Sequence, residues 1–338
     1  MAVTLKDIAE RVGKSVTTVS RALNDYDDVS PETKADVRRV ADELGYTPNI
    51  IAQRLQKQRT DTLGFIMPTY GPRFSDPFFS EFLAGIGNQA SEHGFDLLVS
   101  TRPPGEEEMS AYRKHTHSPQ VDGFIVVRTR KQDERIDFLC KKDIPFVAFG
   151  RTGDHCDYLF VDEDGEHGMR LIAHHLADLG HQRIAFITAP DHYMFIHHRK
   201  KGFREGLAER GVSLNESWIV TGDLTQRGGY TQAERLLDLP TLPTAIAACN
   251  DLMALGAISA AQKKGLKVGK DIAITGFDNI PPAQYCHPPL TTVHQPIYQI
   301  GVMVTDMLIE RILEEPLEEK HVILKPELIA RESSLGAR

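Results

Sequence analysis

Residues 3–24 read VTLKDIAERVGKSVTTVSRALN, and the spacing within them decides how the rest of the chain is read. Leu5, Ile8, Ala9 and Val12 fall at i, i+3, i+4 and i+7, which gives a short helix one apolar stripe. Gly13 stops that helix, and Ser15 can cap a second one in which Val19, Ala22 and Leu23 turn inward. Two short helices joined by a tight glycine-containing turn are the helix-turn-helix pattern, whose second helix enters the major groove of DNA. Removing the inward stripe leaves Val16, Thr17, Thr18, Ser20 and Arg21 facing outward, a set small enough to approach base edges. Arg21 can fork onto a guanine and Val16 can touch a thymine methyl.

Outward from this stretch, Ser30 and Pro31 open a third helix whose stripe is Val37, Val40, Ala41 and Leu44, with Gly45 ending it. Residues 46–60 then supply about two helical turns from Asn49 and a polar tether, too short a helix to hold itself in water. VTLKDIAERVGKSVTTVSRALN, VSPETKADVRRVADELGYTPN and IAQRLQ together resemble the LacI/GalR family of bacterial repressors, and the likeness extends over the whole chain. The resemblance implies a homodimer on a palindromic operator, with paired hinge helices that each insert a leucine, here Leu55, into the minor groove. Arg54 can approach phosphates beside it. The DNA-contacting set expected is therefore Leu5, Ser15, Val16, Thr17, Thr18, Ser20, Arg21, Asn24, Asn49, Arg54 and Leu55.

From Thr62 onward short apolar runs alternate with helical patterns, first TLGFIMP to IPFVAFG and then, from Gly165, through IAFIT and AIAAC to IAITGFD. This order predicts parallel, doubly wound α/β lobes. The expected fold is a small all-α helix-turn-helix headpiece plus an α/β two-lobed sensor of periplasmic-binding-protein-like form, the latter implied by the resemblance. The divisions expected are 1–45 for the headpiece, 46–60 for the hinge, 61–162 plus 292–318 for the first lobe, and 163–291 plus 319–338 for the second. Ligands in such sheets sit beyond the carboxyl ends of the strands. The residues that follow the strands include Phe78, Phe79, Arg128, Tyr193, Arg199, Leu224, Asn250 and Asp278, and these are the expected effector contacts. Asp76, Gly150, Arg151 and Asp251 occupy similar places. Aromatic rings can stack on a sugar's apolar face, while Asp, Asn and Arg bind its hydroxyls. The resemblance assigns effector contact most firmly to Arg199, Asn250 and Asp278. Arg128 leaves room for an anionic effector, a phosphorylated sugar or a sugar acid.

Composition narrows the alternatives. A formal net charge of -8 excludes a protein that coats nucleic acid over its whole surface. Residues 1–60 carry ten Lys plus Arg against nine Asp plus Glu, a net of +1, so the remaining -9 falls on the larger part. The opening residues lack a signal peptide's apolar stretch and no run suits a membrane helix, so the expected place is the cytoplasm. Cys140, Cys156, Cys249 and Cys286 are scattered singly and read as reduced thiols. The histidines between His167 and His198 show no paired metal-ligand spacing, and no GxSxG elbow or phosphate loop is present. No metal and no cofactor are expected. An α/β enzyme and a transport binding protein are the competing classes; the headpiece argues against the first, and the missing apolar stretch of a signal peptide argues against the second. The expected function is a sequence-specific transcriptional regulator, a repressor of carbohydrate-utilisation genes switched by a sugar-like effector.

Overall fold

The computed structural model describes residues 3–46, 59–69, 76–117, 120–153 and 156–335. The chain forms two compact units, Met1–Thr60 and Asp61–Arg338. In the first, α1 (Leu5–Val12), α2 (Val16–Leu23) and α3 (Pro31–Leu44) follow their local signals closely. Asp7 Oδ2 accepts the Thr4 backbone N–H at 2.8 Å, and the hydroxyls of Ser15 and Ser30 accept from Thr18 N and Thr33 N. The turn between α1 and α2 needs a left-handed residue, which Gly13 supplies at φ +66°. Ile8, Val19, Ala22, Val37 and Val40 close a core that is almost wholly buried. Asn49, Arg54 and Leu55, and the expected hinge helix with them, lie outside the described residues.

The second unit begins with β1 (Thr62–Pro68), α4 (Pro77–Glu92), β2 (Asp96–Arg102), α5 (Glu106–His117), β3 (Gly123–Val126), α6 (Glu134–Lys141), β4 (Phe146–Phe149) and β5 (Leu159–Glu163). Next come α7 (Gly165–Asp178), β6 (Ile184–Thr188), α8 (Met194–Glu209), β7 (Ile219–Thr221), α9 (Gln226–Leu237), β8 (Ala245–Ala248), α10 (Asp251–Lys263) and β9 (Ala273–Thr275). The closing elements are α11 (Pro281–Tyr285), β10 (Thr292–His294), α12 (Ile297–Leu313), β11 (His321–Leu324) and β12 (Glu327–Ile329). One parallel sheet runs β11-β5-β4-β3-β1-β2 and a second runs β7-β6-β8-β9, while β10 and β12 pair antiparallel. In each sheet the first strand of the series lies between the second and the third, so both sheets have a switch point where the helices diverge to opposite faces. The central strands β1, β3, β6 and β8 are buried along their whole length, as expected of sheets covered on both sides.

The chain passes between the lobes after β5, after β10 and after β11. This corrects the expected division near the carboxyl end: His321–Leu324 extends the first sheet beside β5, whereas the expected division places residues 319–338 in the second lobe. Likewise Thr292–His294 pairs with β12 and is bridged to the second lobe at Asp278, so the first lobe's return begins with α12. A second correction concerns the thiols. Cys140 and Cys156 form a disulfide, with Cα atoms 6.6 Å apart. Because β4 and β5 are parallel neighbours, the segments entering them start at the same edge of the sheet, which sets the end of α6 beside residue 156. Cys249 and Cys286 remain free. Among the described residues no helix is long and apolar enough to cross a membrane.

Helices α7 and α8 pack tightly at Gly202, where an added Cβ would fall inside van der Waals contact of the Glu166 carbonyl oxygen. Gly202→Ala should therefore destabilise the second unit by about 1–3 kcal/mol or more. Gly87→Ala in α4 meets open space and should be neutral or stabilising by about 0.5–1 kcal/mol. Denaturant unfolding of both variants checks the contrast.

Candidate functional site

On α2 the side chains of Val16, Thr17 and Arg21 are exposed, while Thr18 and Ser20 are half-buried. Several of the expected DNA contacts already do local work. Ser15 caps the helix and exchanges a hydrogen bond with the Thr18 hydroxyl at 2.8 Å, and the Asn24 amide donates to Ser20 O at 2.8 Å. Leu5 packs half-buried against the core of the three helices. Arg21 rests against Asp28, with Nη1 2.9 Å from Oδ2, and lies 5.3 Å from the centre of the Tyr26 ring. An exposed pair of this kind is worth at most about 1 kcal/mol, so the guanidinium can be released to another acceptor at little cost.

In the second unit the segments following the strands of both sheets converge on a cleft of about 580 Å³, part of it open to solvent. From the first lobe, Asp76 caps α4, with Oδ1 accepting the Phe78 N–H at 3.1 Å, and this sets Phe78 and Phe79 at the cleft. The Phe78 ring stacks on Phe149 at the end of β4, centres 5.9 Å apart. Arg128 follows β3 in left-handed backbone at φ +52°, 4.9 Å from the centre of the Phe79 ring. Its Nη2 is 3.2 Å from Asp76 Oδ2.

From the second lobe, α8 presents Phe195 and Arg199, one turn apart. Arg199 is buried, and its Nη2 reaches Glu163 Oε1 at 2.8 Å and Asp278 Oδ1 at 3.5 Å while Nη1 donates to Cys249 O at 2.5 Å. Its guanidinium lies 3.6 Å from the centre of the Phe277 ring and 5.0 Å from that of Phe195. Burial works against the Arg199 charge, but Glu163 and Asp278 outweigh it and hold the guanidinium's pKa above its ordinary value. Asp278 accepts a hydrogen bond from Gln295 Nε2 at 2.6 Å, and burial pushes its carboxyl well above the usual range against the pull of Arg199. Asn250 caps α10 through Met253 N at 3.1 Å and donates Nδ2 to Leu224 O at 3.1 Å. Leu224 and Asp278, like Arg128, hold positive φ, so three cleft residues carry backbone strain.

Seven of the eight expected effector contacts therefore meet at one cavity: Phe78, Phe79, Arg128, Arg199, Leu224, Asn250 and Asp278. Tyr193 does not line it. Met194 N donates to Thr129 O at 2.9 Å and Lys131 N to His192 O at 3.0 Å, which draws this segment against the first lobe. The Tyr193 side chain, 1% exposed, is packed beside His192 and Phe195 instead. Sequence reasoning missed Asp162, Glu163, Phe195 and Gln295, which also line the cleft. Phe195 was within reach, since it precedes Arg199 by the four residues that place two side chains on one helix face. Asp251 is buried away from the cleft, accepting from Ile280 N and the Thr292 hydroxyl. Among the described residues no group of His, Cys, Asp or Glu is arranged to hold a metal ion. His174 contacts Glu209, and His175 and His181 bond the hydroxyls of Ser334 and Thr244.

Residues 4–49 match the model for bacterial regulatory proteins of the lacI family, and residues 173–334 match that for a periplasmic binding protein-like domain. The chain is 37% identical to the HTH-type transcriptional regulator AglR of Rhizobium meliloti (strain 1021), over 99% of this chain and 95% of that one. Its structure is similar to that of the lac repressor dimer bound to operator and the anti-inducer ONPF, with a TM-score of 0.87, 28% identity, and coverage of 99% of this chain and 100% of that one. It is also similar to a complex of the transcriptional regulator CelR with cellobiose, with a TM-score of 0.75, 31% identity, and coverage of 98% and 99%.

Asp162 gives a pH test of this architecture. Burial first, and then the charge of Glu163, push its carboxyl up to about 8, against an ion pair with Arg151 whose Nε is 2.7 Å away. The folded chain thus keeps a proton that the unfolded chain releases near the ordinary value of 3.8. The stability this proton brings is complete at low pH and is lost as pH rises through about 8. Asp162→Asn should match the wild type near pH 4 and gain on it steadily toward pH 8, by at most about 1.4 kcal/mol per pH unit. Thermal unfolding of both across that range checks the sign, and taking the difference removes the opposite contribution of the buried histidines.

Proposed function

The chain belongs to the LacI family of bacterial regulatory proteins and is a DNA-binding transcriptional regulator rather than an enzyme, and from that premise we propose that it is a cytoplasmic repressor of carbohydrate-utilisation genes. In this reading a homodimer grips a palindromic operator, α2 reads the major groove, and a sugar bound between the lobes changes the grip. The cleft carries the proposal: aromatic rings from both lobes surround a buried guanidinium and carboxylates, which suits a ring with one apolar face and several hydroxyls. The similarity to a regulator solved with cellobiose supports it. For DNA, support comes from Val16, Thr17 and Arg21, which stand exposed on one helix, and from the similarity to a repressor dimer on its operator. Two copies would meet half-sites about one helical turn apart, and closure of the cleft would couple to operator affinity by about 1–3 kcal/mol.

Thermal-shift screening of the full chain against mono- and disaccharides tests the effector reading, since a ligand at 100 times its dissociation constant adds about 2.7 kcal/mol. A response to nucleosides and to no sugar would contradict it. Asp278→Ala should retain operator binding and lose the sugar response, and normal induction by this variant would remove Asp278 from the site. Arg21→Ala should cost about 1–3 kcal/mol of discrimination at one operator position, whereas a uniform loss over all sequences would mark a phosphate contact instead.

A further inference from the structure

Charge bookkeeping inside the cleft narrows the ligand further than its shape does. Among the described residues its ionisable lining is Asp76, Asp162, Glu163 and Asp278 against Arg128 and Arg199, four carboxyls to two guanidiniums. Neither arginine is idle. Arg128 faces Asp76, with side chains only 16% and 18% exposed, and the two Nη atoms of Arg199 are engaged by Glu163, Asp278 and the Cys249 carbonyl. An incoming phosphate or carboxylate would need one of these guanidiniums, and to take it would leave a half-buried carboxylate unpaired beside aromatic rings. Burial pushes Asp76 upward despite Arg128, as it does Asp162 and Asp278, so the surroundings of this cleft already disfavour a negative charge.

Two unsatisfied atoms point the same way. Among the described residues, Arg199 Nε and Gln295 Oε1 are buried without a hydrogen-bond partner, and both residues line the cleft. One is a donor and the other an acceptor. Hydroxyl groups can meet both a donor and an acceptor, whereas an ionised phosphate or carboxylate, which only accepts, leaves the glutamine oxygen unmet.

We propose that the cleft selects an uncharged polyhydroxyl ligand and rejects phosphorylated and acidic sugars, with the Asp76–Arg128 ion pair as the element that enforces the rejection. This rests on the carbohydrate reading above, and it closes the opening that Arg128 left for an anionic effector in the sequence. Asp76 occupies Arg128 and so removes the cation that, among the described residues of the first lobe, lines the cleft and could otherwise receive an anion.

The experiment uses the full chain and three kinds of probe: neutral sugars, the 6-phosphate and uronate of each, and inorganic phosphate. In the wild type a neutral sugar should stabilise the protein, its charged counterparts should bind about 100-fold more weakly or worse, and inorganic phosphate should have no effect. Asp76→Asn keeps a side-chain carbonyl to cap α4 but frees Arg128. It should narrow the gap between neutral and charged sugars about tenfold and acquire a response to inorganic phosphate. Arg128→Gln removes the cation and leaves Asp76 facing the cleft, so it should weaken binding of neutral and charged sugars alike or widen the gap between them, and should gain no response to inorganic phosphate. Charged sugars that bind the wild type as tightly as neutral ones, phosphate protection of the wild type, or loss of the preference in Arg128→Gln would each overturn the proposal. Should no sugar act while Asp76→Asn still gains its phosphate response, the carbohydrate reading fails and the charge rule stands. Should Asp76→Asn not fold, the wild-type pairs and Arg128→Gln still decide the matter.

Discussion

A guanidinium taken out of water must find anions or stay outside the fold, and Arg199 has found two. Glu163 comes from the last residue of β5 in the first sheet, and Asp278 follows β9 in the second. The Cys249 carbonyl that completes its contacts lies just past β8, so a single charge on α8 joins three strand ends drawn from both lobes. A buried ion pair of this kind contributes little net stability and is better understood as fixing one arrangement against others. Phe277, 3.6 Å from the guanidinium, holds it from the other side. The strained backbone at Arg128, Leu224 and Asp278 is tolerated where the surrounding contacts determine it most strongly.

The lobes also meet directly. The bridge between Arg130 and Tyr193 sets the loop after β3 against the start of α8. That loop is held rigidly from behind, since buried Arg135 donates to Asp133, to Glu108 at 2.7 Å and to Arg128 O at 3.2 Å. Glu108 in turn pairs with Arg130. A ligand pressing on Arg128 or Arg199 therefore acts on two elements that are already hydrogen-bonded to each other across the cleft. In the proposed reading, small shifts there would become changes in lobe angle, because packed interfaces switch between arrangements rather than deform smoothly.

How much of this the sequence revealed depended on whether the signal was local. The three helices of the first unit were legible because their stripes, their capping Ser15 and Ser30, and Gly13 all agree within a few residues of one another. The cleft residues followed from asking what lies beyond each apolar run. What was lost lay where no local pattern exists. Leu159–Glu163 ends in two acids and lacks the apolar run of its neighbours, so its strand, and Asp162 and Glu163 with it, went unread. The placement of His321–Leu324 beside that strand, and of Gln295 beside Asp278, comes from chain crossings that depend on the tertiary fold. The pairing of Cys140 with Cys156 depends on the same parallel edge and cannot be deduced from spacing. Tyr193 was misplaced because backbone hydrogen bonds between lobes, which no side-chain pattern announces, turned it inward.

The central claim is that one molecule has two sites that sense each other, and the coupling between them must be reciprocal. Calorimetric titration of the sugar into the free chain and into the chain saturated with its operator measures this directly. The account predicts that the two sugar affinities differ by about 5- to 150-fold, and that the sugar changes operator affinity by the same factor. Equal sugar affinity with and without operator would contradict it.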